Sequence, residues 1–323
     1  MDALSEVLKV VKLESAFFFK GEFTAPWRFL SPESCKIAPF LRKPGGHVIV
    51  YHLLLQGKAY AETRDIRLLL RPGDIVIFPH GDSHIFESGP SPYTLDGESE
   101  LQRIFAAGLK VSRLGGGGEL SKFVCGYMAC EPRLSQTFLS GLAPLFKINI
   151  RDDEQGAWLE NSIQLSIAEV GDGQAGREAV LAKLSEMLFV ETLRRHVLQM
   201  PAHQTGWLAA ARDPEVGKAL ALLHSRPSQA WTLADLASEV GLSRSVLAQR
   251  FRQYLGEPPF AYLTRWRVQI GAQMLTSTSY SVAQIASEVG YDSEAAFNRA
   301  FKRVFGQPPA RYRAFSRAAG TGR

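Results

Sequence analysis

The chain has 323 residues, 46% of them hydrophobic and 21% charged, with 37 Lys+Arg against 32 Asp+Glu and a formal net charge of +5. Such a chain is globular and long enough for two domains, and no run approaches the eighteen or so apolar residues of a membrane span. The charge is divided unevenly, with 22 basic against 24 acidic residues over 1–205 and 15 against 8 over 206–323, the footprint of a nucleic-acid-binding end joined to a different kind of module. Asp2 and Glu6 stand where a secretory leader would carry basic residues before an apolar run, so a soluble, cytoplasmic protein is expected. Cys35, Cys125 and Cys130 make no Cys-x-x-Cys; buried, reduced thiols are expected, with neither a disulfide framework nor a zinc site.

From Phe23 to about Phe105 short apolar runs alternate with turn residues. His47 to Gly57 reads as a strand ending at glycine, and Arg71-Pro72-Gly73-Asp74 as a turn into the strand Ile75-Val76-Ile77-Phe78, a pattern that predicts a small antiparallel barrel or sandwich. Gly115 to Gly118 lack the Lys-Ser/Thr of a phosphate loop and read as a flexible hairpin loop. Helical periodicity follows, short and amphipathic over Leu134 to Leu145 and longer from about Arg177 to Leu198. In the longer run Val180, Leu184, Met187 and Leu188 form one stripe, with Leu181, Phe189, Leu193 and Val197 adding apolar surface beside it. Such a helix needs cover on more than one side, from its own barrel or from a second subunit. Met200 to Gly206 reads as a linker.

Beyond the linker the sequence repeats itself. Ala237-Ser238-Glu239-Val240-Gly241 recurs as Ala286-Ser287-Glu288-Val289-Gly290, and Pro258-Pro259 as Pro308-Pro309, with one residue added in the second turn. Each copy reads as a helix, a glycine-opened turn and a second helix. Thr232 with Asp235 and Ser281 with Gln284 suit capping boxes, and Ser243 and Ser293 can cap the second helices. With Leu247, Phe251 and Tyr254 facing inward, Arg244, Ser245, Ala248, Gln249 and Arg252 form the outer face of the first reading helix. Glu294, Ala295, Asn298, Arg299 and Lys302 form that of the second. Amides and guanidinium groups can bond base edges in a major groove, while Lys and peripheral Arg neutralise phosphate.

The run from about Asp213 to Tyr312, with its connecting Pro259-Phe260-Ala261-Tyr262-Leu263-Thr264-Arg265-Trp266-Arg267 and closing Phe305-Gly306-Gln307-Pro308-Pro309, resembles the DNA-binding domain of AraC/XylS-type transcription regulators. The resemblance implies seven helices, the one from about 259 to 275 holding the two units apart. Gln249 departs from the arginine that many members carry there. The N-terminal half resembles a cupin in its strand-glycine, Pro-Gly-Asp and Pro79-His80-Gly81-Asp82-Ser83-His84. It is also similar to the cupin-type sensor of one branch of these regulators through Ala25-Pro26-Trp27, Cys125-Gly126-Tyr127 and Gly206-Trp207-Leu208-Ala209. Many cupins hold a metal through a His-x-His pair; this chain has none, and His47 and His52, five apart, face opposite sides of a strand. No catalytic metal or other cofactor is expected. His52, His80 and His84 are the candidate ligand-binding groups.

These observations predict a multidomain protein: an all-β cupin-like barrel with accessory helices over 1–200, which senses and dimerises, a linker over 201–212, and an all-α double helix-turn-helix domain over 213–323. The expected function is sequence-specific transcription regulation without enzymatic activity, on double-stranded DNA, modulated by a small-molecule effector. A homodimer, and RNA polymerase contact if the protein activates, complete the expected partners, with no membrane among them. A cupin metalloenzyme carrying an accessory DNA-binding domain is the alternative.

Overall fold

The structure is a computed structural model that describes residues 2–10, 14–38, 47–106, 112–130, 139, 141–168, 177–201 and 204–321. Its contacts divide the chain into two units, Val11–Met200 and Met1–Val10 with Pro201–Arg323. The first helix, α1 (Ala3–Val10), belongs to the second unit, where Ala3 and Val7 are buried.

The N-terminal unit is built from two sheets. Its strands are β1 (Glu14–Thr24), β2 (Trp27–Ser31), β3 (His47–Gln56), β4 (Ala59–Thr63), β5 (Ile66–Leu70), β6 (Asp74–Phe78), β7 (His84–Ser88), β8 (Leu95–Asp96), β9 (Ser112–Gly115), β10 (Leu120–Cys130) and β11 (Phe146–Asn149). One sheet runs β11-β6-β3-β10-β1-β9 and the other β5-β4-β7-β2-β8. Pairing is antiparallel except for β1 with β9 and β2 with β8. Helices α2 (Ser34–Ile37), α3 (Gly97–Ala106), α4 (Glu154–Ala168) and α5 (Arg177–Gln199) accompany the sheets.

Strand β3 shows why the sheets need helices as well as each other. Val48, Val50 and Leu54 enter the core between the sheets, while the alternate Ile49, Tyr51 and Leu53 are equally buried. A strand buried on both faces must be covered twice, and the hydroxyl contact of Tyr51 with Ser185 places α5 on its second face. The apolar surface of α5 divides accordingly. Leu184, Leu188, Phe189, Leu193 and Val197 are buried, whereas Val180 and Met187 stand 53% and 42% exposed.

Three expectations change. The linker expected over 201–212 contains a helix, α6 (Trp207–Arg212), because Trp207, Leu208 and Ala210 are apolar and buried and the Trp207 indole donates to Tyr262 Oη at 2.7 Å. The glycine loop is engaged, not free: the Gly116 and Gly118 amides donate to the carbonyls of Thr24 and Ala25, and that of Gly117 to Thr24 Oγ1. Cys35 is exposed, on a four-residue helix that turns Ile37 inward instead, while Cys125 is buried. Of the short helix expected over Leu134 to Leu145, residues 134–138 and 140 lie outside the described residues.

From Pro214 seven helices follow: α7 (Pro214–Ser225), α8 (Leu233–Glu239), α9 (Arg244–Leu255), α10 (Pro259–Ser277), α11 (Val282–Glu288), α12 (Glu294–Phe305) and α13 (Pro309–Thr321). Both capping boxes form, Thr232 with Asp235 and Ser281 with Gln284. Ser243 and Ser293 cap α9 and α12 through the amides of Val246 and Ala296. Gly241 and Gly290 take left-handed φ of 73° and 85°. The second unit closes over Val268, Ala272 and Leu275 of α10 together with Ile285, Phe297 and Phe301.

The two glycines are conformationally alike and sterically different. A Cβ on Gly241 would meet nothing within 4 Å, whereas one on Gly290 would lie 2.7 Å from the Ser228 Cα. Gly241→Ala should therefore cost only the left-handed backbone penalty, about 1–2 kcal/mol. Gly290→Ala should cost about 2–4 kcal/mol, since backbone must also move. Denaturant unfolding of the two variants measures the difference; equal losses would show that the turns are packed alike.

Candidate nucleic-acid interface and sensor interior

Each reading helix is held by one apolar face and offers the other to solvent. On α9, Leu247 and Phe251 are fully buried, Arg244, Ser245, Gln249 and Arg252 are exposed, and Ala248 is half-buried. On α12, Phe297, Ala300 and Phe301 are buried, Glu294, Ala295, Arg299 and Lys302 are exposed, and Asn298 is half-buried with its amide 3.5 Å from Glu294 Oε1. The ten residues thus fall on the outer faces of their helices. Among the described residues the side chains of Arg244, Arg252, Arg299 and Lys302 have no hydrogen-bond or ion-pair partner. The neighbouring Arg250 differs, being committed to Asp213 and Glu215.

Residues outside these faces position them. The Arg267 guanidinium, on α10, donates to the carbonyls of Pro227 at 2.6 Å, Gly290 at 2.9 Å and Gln229 at 2.8 Å. Burial pulls its pKa below the usual arginine value, with the nearby Tyr291 and Asp292 opposing the shift. Nothing in the repeat pattern marks this role; only its place in the connecting segment could have hinted at it. Similarly, the Tyr262 hydroxyl of α10 accepts from Trp207 and lies 2.6 Å from His224 Nε2.

Between the sheets of the N-terminal unit the structure brings His52 and His84 together and sets His80 apart. His80 Nε2 lies 3.1 Å from the Leu142 carbonyl, while the Nε2 atoms of His52 and His84 are 3.1 Å apart. Burial lowers the pKa of His52 well below the usual histidine value and that of His84 to about 4, so both rings are neutral at pH 7. The Asp82 carbonyl, 2.9 Å from His84 Nδ1, can only accept. Nδ1 of His84 therefore carries the proton and its Nε2 is bare. His52 Nε2 must then donate to it, which leaves His52 Nδ1 to accept the Cys125 thiol at 2.8 Å. One chain of donors runs from Cys125 through both imidazoles to the Asp82 backbone, and burial holds the thiol protonated by raising its pKa.

Beside this chain lies a cavity of about 20 Å³ lined by Phe23, Trp27, Phe29, Phe86, His52 and Cys125 among others, space for roughly one water. Phe23 and Trp27 stack at 4.4 Å, and the buried Trp27 indole N–H has no hydrogen-bond partner among the described residues. No group of three or more His, Cys, Asp or Glu is arranged to hold a metal among the described residues, and no helix there is long and apolar enough to cross a membrane.

Comparison with known proteins agrees with both halves. A cupin family profile matches residues 2–198 and a helix-turn-helix domain profile residues 236–314. Among relatives, the HTH-type transcriptional regulator AlkR of Acinetobacter baylyi is 29% identical over 97% of this chain and 99% of its own length. A putative AraC-like transcription regulator of Streptomyces lividans is 30% identical over 97% and 98%. The DNA-binding domain of AdpA, solved with a target DNA, is 31% identical, covering 33% of this chain and 95% of its own with a TM-score of 0.32. A cupin domain joined to a helix-turn-helix domain defines a DNA-binding transcription regulator. This chain belongs to the AraC-like transcription regulators with an N-terminal cupin domain.

The neutral histidines make the protein acid-sensitive. His84 titrates near 4 when folded but near its ordinary value of about 6.5 when unfolded, so the unfolded chain binds more protons between these limits. Stability present above pH 6.5 should be lost as pH falls toward 4. Denaturation midpoints between pH 7 and 4.5 should drop, and less steeply in a His52→Gln, His84→Gln variant. An unchanged slope in that variant would place the acid sensitivity elsewhere.

Proposed function

We propose that the protein reads a specific duplex through Arg244, Ser245, Ala248, Gln249 and Arg252 of α9 and Glu294, Ala295, Asn298, Arg299 and Lys302 of α12. The observation that carries this reading is the pair of serine-capped helices whose outward cations are unpartnered while Arg250, on the same element, is paired. An unpaired guanidinium can bond a guanine edge bidentately, and an unpaired ammonium can neutralise phosphate. The protein acts in the cytoplasm as a switch without chemistry of its own, contacting RNA polymerase where it activates.

The switch is a small molecule that prefers one arrangement of the sensor, which it can shift only by its differential affinity. The space between the sheets is the site we favour, since aromatic walls with a few polar groups suit an organic ligand. Because the cavity there holds only about one water, a ligand must open it, and that opening is the second arrangement of the sensor. His52 and His84 belong to that interior, and His80 lies at its rim in this reading. Their ring nitrogens are occupied with each other, Cys125 and Asp82, which leaves the Trp27 indole as the ready donor.

Arg299→Ala should cost about 1–3 kcal/mol of binding and relax selection at one or two base positions. Lys302→Ala should instead weaken all sequences alike and flatten the salt dependence by nearly one phosphate contact. Selection from a randomised duplex pool reads both. A site left unchanged by Arg299→Ala but altered by Lys302→Ala would mean that α12 presents a different face.

A homodimer through α5 is part of this proposal, and the exposed Val180 and Met187, one heptad apart, are its contact stripe. Met187→Glu should yield a cooperatively folded monomer in sedimentation, whereas Leu184→Glu should impair folding because Leu184 is only 9% exposed. A dimer unaffected by Val180→Glu and Met187→Glu together would remove α5 from the interface.

A further inference from the structure

On the outer face of the six-stranded sheet, beside α4, lies an open cleft of about 370 Å³. Its polar lining is Lys20 and Glu22 of β1, Gln56 of β3, Lys122 of β10, Arg151 and Gln164. Strand alternation puts Lys20 and Glu22 on one face, and the register sets Lys122 opposite Glu22 and Gln56 opposite Lys122. The outer face of this sheet thus changes character along β3: apolar and covered at Ile49, Tyr51 and Leu53, polar and open at Gln56.

The charges in the cleft do not cancel. Glu22 is already answered by Arg113, which donates to its Oε2 through Nε at 3.1 Å and Nη2 at 2.8 Å, and this pairing holds its pKa down. Arg151 is answered by Glu160, through Nε at 2.7 Å and Nη2 at 2.5 Å. Lys122 reaches Glu22 only at 3.7 Å. Lys20, half-buried, has no ion-pair or hydrogen-bond partner among the described residues. Two ammonium groups therefore face a concave space whose volume falls within the roughly 300–1,000 Å³ of small-molecule sites.

We propose that this cleft is a second ligand site, separate from the sensor interior, for a small organic polyanion, a di- or tricarboxylate or a phosphate monoester. Lys20 and Lys122 hold the anionic groups, and Gln56 and Gln164 bond its hydroxyl or carbonyl oxygens. Ammonium groups act as point charges without the fork geometry of a free guanidinium, and the guanidinium here is committed to Glu160. The site therefore selects on charge and size, and carboxylate and phosphate are recognised by the same chemistry.

The test is calorimetric titration of the full chain with citrate, glutarate and glycerol 3-phosphate, each against sulfate at matched ionic strength. At least one probe should bind saturably at one per chain. Lys20→Met and Lys122→Met should each weaken it tenfold or more, Lys20→Arg should restore most of the loss, and Lys58→Met, on a cation outside the cleft, should have no effect. The proposal is overturned if none of the three probes binds beyond sulfate, or if binding survives the Lys20→Met, Lys122→Met double variant. Either failure leaves the duplex selection of the same protein unchanged, so this site and the DNA-reading function stand or fall separately.

Discussion

From the middle of α10 the Arg267 guanidinium donates to three backbone carbonyls, those of Pro227, Gln229 and Gly290, and so ties the loop after α7 to the turn of the second helix-turn-helix. The spacer helix itself runs 19 residues, roughly 28 Å at 1.5 Å per residue. The helix fixes length, its apolar face packs against the second helix-turn-helix through Val268, Ala272 and Leu275, and the Arg267 tie links that helix-turn-helix to the loop after α7. The tie carries the cost of placing a cation where burial disfavours its charge, a cost that three charge-assisted hydrogen bonds offset. In our proposal two reading helices act on one duplex only while their relation is held, and Arg267, outside both outer faces, contributes to holding it.

The sensor interior is organised by a similar economy of partners. The Asp82 carbonyl accepts and cannot donate, and that single fact orients both imidazoles and the Cys125 thiol in one sequence of hydrogen bonds. Phe78 stacks on His84 at 3.6 Å and Phe86 lies 4.5 Å from His52, so the rings are surrounded by apolar surface that favours their neutral forms. In our proposal a ligand entering this space uses the Trp27 indole, unpartnered among the described residues, or breaks the chain, and in the second case every proton along it has to shift. Either event distinguishes two arrangements of the same interior, which is what an effector-driven population shift requires.

Arginine and lysine serve two purposes in this chain, and partners separate them. Arg151, Arg195 and Arg250 each pair with carboxylates and secure local structure, whereas Arg244, Arg299, Lys302 and Lys20 present charge without an internal partner. Exposed pairs contribute little to stability, so leaving these four unpaired costs the fold almost nothing. It keeps them available, and in our proposal their partners are DNA on one unit and a small polyanion on the other.

Much of this was legible in the residues because it depends on local chemistry. Capping boxes at Thr232 and Ser281, left-handed glycines at 241 and 290, the strand His47–Gln56 and the outward faces of α9 and α12 follow from hydrogen-bonding groups, backbone freedom and periodicity within a few residues. Other features depend on residues far apart in the chain. Val180, Leu184, Met187 and Leu188 read as one stripe, but which of them are covered was decided by where the sheet meets α5. His52, His80 and His84 read as one group, yet the packing of one sheet on the other joins the first and third and leaves the second on Leu142. The two copies of Ala-Ser-Glu-Val-Gly are identical in letters, and only the approach of Ser228 and Arg267 to one of them makes a side chain at 290 clash where one at 241 would meet nothing. Local hydrogen bonding and periodicity are properties of a segment and can be read from it, whereas burial and steric contact belong to pairs of segments that meet only in the folded chain.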